Sequence, residues 1–366
     1  MLERKAVNTG RQIEFDYMKG WFTPMILLIH SFQMLVGAGE HVDGYKILYI
    51  IATMTGSAIF MFVLGLGSVY SRRTNTQLVK DGAKLLLWQV LWNVFAMAVP
   101  MLLAQILRGL FGCATDWPTT WMFMPTLLQY VNVFFIAGMC YFLLAVLRWM
   151  KTPAWAYFAL ACLFIVVNPY LYLSEAPTGI AVLDYVITCI AGGRPEVSLC
   201  CLAHFPYVLC GAGFGKVLRC TTDKKSLYKR IAFPAALVVA SYFVYACHNN
   251  KSLDALFIYM SDEYVFPGTL RALANCSSIL LMAGALYALS SRIANCRPLN
   301  NMLIHFCKMT TPYYAVHPFF YSFFTSLALF HPYSAAACVG MTFVVWALSF
   351  ATILAWNRLC VKYKQK

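Results

Sequence analysis

Residues 11–30 read RQIEFDYMKGWFTPMILLIH. Charges crowd the first half, at Arg11, Glu14, Asp16 and Lys19, and the apolar run that follows ends on a lone histidine, His30. No small-residue cleavage site follows, so the stretch reads as a first transmembrane helix and no cleavable signal peptide is expected. A charged side chain at membrane depth costs at least ~2.5 kcal/mol on insertion scales, so an ionisable residue there raises a functional question by default. The competing reading of His30 is a histidine hydrogen-bonded between helices.

Composition extends this reading to the whole chain. Of 366 residues, 61% are apolar, 16% aromatic and 11% charged, where a soluble domain averages ~25% charged. No single core of this length buries so much apolar surface, so lipid is the solvent for most of it. The expected fold is all-α, a polytopic transmembrane helix bundle. The excess of 28 Lys and Arg over 14 Asp and Glu then sets orientation, and no nucleic-acid partner is expected. The 14 cysteines are scattered through apolar segments, as at Cys140, Cys162, Cys210, Cys276 and Cys338. There is no CxxC, and the Cys200–Cys201 pair has no second pair at zinc spacing, so they read as small hydrophobes and no metal site is expected. Cys113 and Cys189 fall on one predicted side and pair only if that side is oxidising.

Apolar segments long enough for a ~30 Å hydrocarbon core lie near 20–38, 47–70, 85–107, 121–147, 154–173, 198–218, 231–248, 268–290, 302–330 and 334–356. An eleventh segment, 179–192, is short and bounded by Gly and Pro. With about ten spans and a cytoplasmic N-terminus, every Lys and Arg except Lys46, Arg108, Arg194, Lys251 and Arg271 falls on the inner face, as the positive-inside bias requires. Counting 179–192 as a span throws the basic cluster at 216–230 to the wrong side, so it is expected as an outer re-entrant or interfacial element. Both termini are then cytoplasmic. No linker or soluble domain interrupts the chain, and residues 1–366 are expected as one integral membrane domain. Outer connections at 39–46, 108–120, 174–197 and 249–267 carry aromatic and acidic residues, which suit a sugar but also suit ordinary interfacial anchoring.

Four stretches can carry chemistry. In the opening one, Asp16 and Lys19 can pair at i,i+3 near the inner boundary, and His30 lies about 16 Å further along the axis. A neutral imidazole there can take a proton from an acceptor hydroxyl or amine. Next, Ser57–Lys84 joins an apolar helix with Gly65 and Gly67 to Arg72, Arg73, Lys80 and Lys84. These cations suit a phosphorylated cytosolic donor, or simply mark topology. Third, KMTTPYYAVHPFFY (Lys308–Tyr321) holds His317 between Pro312 and Pro318, with Tyr313, Tyr314 and Tyr321 nearby. The prolines predict a broken helix exposing carbonyls to a cavity. Last, HFPYVLCGAGFGK (His204–Lys216) has the small residues of tight helix packing and lacks the strand–turn–helix setting of a nucleotide loop.

Arg11, Asp16, Lys19, Gly20 and His30 resemble the opening signature of the acyltransferase-3 family of integral membrane acyltransferases. FMFVLGLG (60–67) with Arg72 and Arg73 is similar to its second-helix pattern, and YYAVHP (313–318) to its late Tyr…His-Pro motif. HFPYVLCGAGFGK and FPGTLRALAN (266–275) look more like the related heparan-α-glucosaminide N-acetyltransferase type, which would make His41 an alternative outer-side histidine. One departure stands out: Lys80 and Lys84 occupy the place of a family arginine pair, and lysine offers point charge without bidentate phosphate geometry.

The resemblance implies a multi-pass cell-membrane enzyme that moves an acyl group, commonly acetyl, from cytosolic acyl-CoA to a hydroxyl or amine of an outer carbohydrate or glycolipid, a glycan modification. By that resemblance His30, His317 and Asp16 are the catalytic candidates. Arg11, Lys19, Arg72, Arg73, Lys80 and Lys84 would hold the acyl-CoA, and His41, Tyr313 and Tyr314 would meet the acceptor. Membrane lipid is the expected surround, and a homo-oligomer is left open. The alternative class is a transporter or flippase of a polar or lipid-linked substrate, which also needs intramembrane histidines and irregular helices. A non-catalytic scaffold would keep His30 and His317 as interhelical bonds.

Overall fold

A computed structural model describes residues 6–35, 46–171, 178–192, 199–248, 268–328, 331 and 333–364. In chain order the helices are α1 (Ile13–Leu35), α2 (Lys46–Tyr70), α3 (Asn75–Trp92), a π-helical segment (Asn93–Ala98), α4 (Val99–Leu110), α5 (Trp117–Gln129), α6 (Val133–Trp149), α7 (Ala154–Leu171), α8 (Ala181–Ala191), α9 (Cys201–Arg219), α10 (Lys224–His248), α11 (Thr269–Asn295), α12 (Arg297–Leu327) and α13 (Ala335–Lys364). Every apolar segment named from the sequence carries a helix. Among the described residues, six helical stretches are long and apolar enough to cross a membrane: Asn75–Leu110, Trp117–Trp149, Cys201–Arg219, Lys224–Ala246, Thr269–Asn295 and Ala336–Cys360.

Local chemistry sets the ends. The Thr74 hydroxyl accepts from Gln77 N (3.2 Å) while Gln77 Oε1 accepts from Thr74 N (2.8 Å), a reciprocal box that starts α3. Asp116 Oδ1 accepts from Thr119 N (3.0 Å) at the head of α5, and Asn132 Oδ1 accepts from Phe134 N (2.8 Å) at the head of α6; both are side-chain N-caps. Hydrogen bonds from the Thr119 side chain and backbone N–H hold the Asp116 carboxyl below its usual range. α8 has 11 residues, about 16 Å at the helical rise, half of a ~30 Å hydrocarbon core.

The chain forms two compact units. One holds Met1–Met18, Thr53–Gln89 and Tyr130–Asn295; the other holds Lys19–Ala52, Val90–Gln129 and Cys296–Lys366. In the first, α9 is the centre, packed by α6, α7 and α8, and α2 lies along it in the same direction. Ser57 meets His204 and Val69 meets Arg219, and the Gly65 backbone lies on the Val208 carbonyl. In the second unit α12 is central, packed by α4, α13 and the π segment. α1 runs parallel to it, pairing Gly20 with Leu303, Thr23 with Thr310, His30 with His317 and Met34 with Thr325.

Two expectations are corrected. α12 is continuous through Pro312 and Pro318, not broken. Trp92 Nε1 donates to Ala315 O (3.1 Å) between the two prolines and Thr310 Oγ1 to Phe306 O (3.0 Å) before them, and the helix keeps its course past both. The break lies instead inside the segment read as one span over 121–147, at residues 130–132 between α5 and α6. In the first unit Gln89 Nε2 donates to Tyr130 O (2.6 Å), and its Oε1 accepts from Phe135 N (3.3 Å). In the second, Asn93 Nδ2 donates to Leu128 O (2.9 Å). Two amides from one helical run thus supply the partners a backbone break needs away from water.

The α2–α9 contact is testable through its glycines. A Cβ on Gly65 collides with the Val208 carbonyl, whereas one on Gly67 meets nothing within 4 Å. Gly65→Ala should lower stability in detergent by about 1–3 kcal/mol, and Gly67→Ala should leave the thermal unfolding midpoint unchanged.

Candidate functional site

The second unit brings together the histidines that the sequence singled out. His30 Nδ1 lies 2.6 Å from His317 Nε2, with the rings stacked at 4.9 Å between centroids and 26° between planes. Parallel packing makes this meeting possible, because α1 and α12 stay in register over several turns. The Thr23 and Thr310 hydroxyls meet at 2.8 Å one side of the pair. Beyond it, Thr325 Oγ1 donates to Met34 O (3.1 Å). Tyr321, fully buried, donates its hydroxyl to Leu27 O (2.6 Å), and Ser31 Oγ donates to Cys338 O (2.6 Å) on α13.

The proton positions on the pair follow from its partners. His317 Nδ1 lies 2.6 Å from Tyr313 O, and a carbonyl only accepts, so Nδ1 carries the hydrogen and Nε2 presents a lone pair. His30 Nδ1 then donates to that lone pair, which leaves His30 Nε2 as an unprotonated acceptor. His317 is completely buried and His30 half-buried, so the accessible basic nitrogen of the pair belongs to His30. Among the described residues no group of three or more His, Cys, Asp or Glu can hold a metal ion.

Aromatic rings wall the pair. Tyr314 meets His317 edge-on at 5.9 Å and Tyr321 does so at 5.8 Å. Trp92 stacks on Tyr314 (5.9 Å, 8°) and fixes α12 through Ala315. Trp92 immediately precedes the π-helical segment, whose extra residue per turn is a recurrent feature of functional sites. Tyr313 points elsewhere, into a cluster with Leu27, Phe306 and Ile353, and its buried hydroxyl has no partner among the described residues. Lys19 is half-buried on α1, and its carbonyl accepts from Thr23 Oγ1 (2.8 Å).

The other candidates lie in the first unit. Arg11 forms an ion pair with Asp16. Arg73 is held by Asp81 (3.2 Å) and the Tyr141 hydroxyl (3.2 Å), while Arg148 Nη2 donates to Arg73 O (3.0 Å). Arg72, Lys80 and Lys84 are exposed at the same α2–α3 turn. His41 lies outside the described residues. Sequence reading treated Glu14 as one more boundary charge, but it is wholly buried, paired with Lys224 Nζ (2.6 Å) and accepting from the Tyr228 hydroxyl (2.9 Å). Standing two residues from Asp16 in a run of charges, it carried no signal of its own. Trp92 and the Ser57–His204 contact (3.1 Å) were also missed, because neither residue stands in a motif of its own.

A family model described as an acyltransferase domain matches residues 12–356. No curated protein and no solved structure matches the chain.

The buried ion pair of the first unit yields a stability test. Lys224→Met leaves the Glu14 carboxylate without its cation and should cost about 3–5 kcal/mol. Adding Glu14→Gln should recover most of that loss in the same thermal unfolding measurement.

Proposed function

The chain belongs to the acyltransferase-3 family, and from that premise we propose that it moves an acyl group, taken to be acetyl, from cytosolic acyl-CoA to a hydroxyl or amine of a glycan acceptor on the outer side. Membrane acyltransfer is the activity of the family it joins. The observation that carries the finer reading is the 2.6 Å bond between His30 and His317. His30 Nε2 takes the acceptor proton as the acceptor oxygen or nitrogen attacks the acyl carbonyl carbon. The resulting imidazolium keeps its Nδ1–H on His317 Nε2, and His317 is itself fixed by the Tyr313 carbonyl. His30 is therefore the general base and His317 the positioning partner, an arrangement that works without a metal.

Tyr314 and, from the undescribed outer connection, His41 are assigned to the acceptor, whereas Tyr313 supports the site through its carbonyl. For the donor, exposed Arg72, Lys80 and Lys84 are the phosphate contacts, with Arg73 spent on Asp81 and on shaping the turn. Asp16 acts on Arg11 and thereby on the inner mouth, to which Lys19 also contributes.

Helix directions support the expected topology. Spans that pack parallel are separated by an odd number of spans. α2 and α9 are parallel, and so are α1 and α12; a ten-span count in which α8 does not cross accommodates both relations. Counting α3 with α4 and α5 with α6 then leaves ten spans, with both termini on the cytoplasmic side of the cell membrane.

Three measurements test these assignments. Purified protein should consume acetyl-CoA in the presence of acceptor, His30→Ala should abolish turnover, and His317→Gln should slow it about 10²–10⁴-fold. Full turnover in His30→Ala removes the histidine pair from the mechanism. Joint Arg72→Ala, Lys80→Ala and Lys84→Ala replacement should raise KM for the donor while sparing kcat, and an unchanged KM places the CoA phosphates elsewhere. Reporter fusions at the two termini should both report the cytoplasm.

A further inference from the structure

We propose that Ser57 is a nucleophile that carries the acyl group covalently, with His204 as its base. This rests on the reading that the chain draws acyl groups from a thioester, and it concerns a different pair of side chains, wholly within the first unit. Ser57 Oγ lies 3.1 Å from His204 Nε2. His204 Nδ1 lies 2.9 Å from the Cys200 carbonyl, so Nδ1 holds the hydrogen and Nε2 is the acceptor for the Ser57 hydroxyl proton. A nucleophile within reach of a base that a third group orients is the geometry of an activated serine.

The backbone supplies a second, independent observation. α2 leaves helical geometry at Gly56 (φ 26°, ψ −130°), immediately before Ser57. Positive φ is open to glycine and costly for residues with a Cβ, and such strain gathers where a side chain must be aimed. The kink turns Ser57 onto His204, while the α2–α9 backbone contact at Gly65 and Val208 locks the helices one to two turns further on. His204 is almost completely buried, its ring edge-on to Tyr207 at 6.1 Å. Tyr207 is held in turn by Asn275 Nδ2 (3.1 Å). Ser57 is of intermediate burial, less enclosed than its base.

Loading runs as follows in bonds. Ser57 Oγ attacks the thioester carbonyl carbon, its proton passes to His204 Nε2, the carbon–sulfur bond breaks, and the CoA sulfur leaves as the thiol with that proton. Discharge forms the acceptor–acyl bond and breaks the Ser57 ester. The proton the acceptor gives up to its base is matched by one that His204 Nε2, re-protonated from solvent, delivers to Ser57 Oγ. A bond that served only to join α2 and α9 predicts no adduct.

The test is acylation of the purified, intact chain by isotope-labelled acetyl-CoA without acceptor, followed by peptide mass mapping. The expected result is one acyl group on Ser57 in the wild type and in His30→Ala, and none in Ser57→Ala or His204→Gln. Ser57→Cys should carry the label as a thioester, released by neutral hydroxylamine that leaves the serine ester intact. Wild-type turnover with acceptor but no adduct at Ser57 overturns the inference while leaving acyl transfer standing. If acetyl-CoA is not used at all, a fluorophosphonate probe decides the nucleophile alone. Labelling of Ser57 that His204→Gln abolishes supports it, and no labelling at Ser57 overturns it.

Discussion

In hydrocarbon every polar group must find its partner inside the protein, because water is not there to supply one. The chain meets that constraint with side chains that reach across helices rather than along them. Gln89 and Asn93 take up the backbone where α5 gives way to α6, and Trp92 takes a carbonyl beside Pro318. Glu14 is buried with Lys224 and Tyr228 around it. These bonds need helices held at fixed depth relative to one another, and the glycine contacts at Gly20, Gly65 and Gly211, where any Cβ meets backbone, hold them so.

The same device appears twice at the histidines. His317 and His204 each give Nδ1–H to the carbonyl four residues earlier, Tyr313 and Cys200 respectively. That bond costs the helix nothing new and fixes the tautomer. Each then offers Nε2 to a side chain on a parallel helix, His30 in one unit and Ser57 in the other. In both places a glycine against backbone lies within a few turns and sets the register. A histidine so oriented on its own helix is ready to accept a proton, and the partner on the parallel helix decides what it serves: another imidazole or a nucleophilic hydroxyl.

How far the sequence alone carries can be judged residue by residue. Helices were legible wherever apolar runs reached spanning length, because lipid selects for that length directly. His30 and His317 stood out because an ionisable residue in an apolar run is conspicuous, but their hydrogen bond to one another was not written in the sequence. The break at 130–132 was not: Tyr130, Val131 and Asn132 hold neither Gly nor Pro, and their partner Gln89 lies far away in sequence. Conversely Pro312 and Pro318 announced a break that α12 does not show. Ser57 and His204 stayed hidden because their pairing depends on a kink at Gly56, and a glycine in an apolar helix reads as packing. Local composition records what a segment prefers; it does not record which distant side chain will satisfy it.

A pair of imidazoles, rather than an imidazole and a carboxylate, follows from the same constraint. At membrane depth a carboxylate is a standing charge that must be solvated or paired throughout the cycle. The His30–His317 pair is neutral at rest with its bridging hydrogen bond already made, so it is cheap to bury. In the proposed mechanism it would become charged only while holding the acceptor proton, and the hydrogen bond to His317 Nε2 would strengthen as charge develops, favouring the transition state over the ground state. The rigid side of the pair is the buried one, braced by Tyr313, Tyr314 and Tyr321, while the half-buried ring faces the proton it must take. Exchanging the order, with the exposed ring fixed to a carbonyl and the buried ring free, would leave the accessible nitrogen without a partner to stabilise its charge. The direction of the hydrogen-bond chain, from His30 inward to the Tyr313 carbonyl, is the ground on which His30 is proposed as the base.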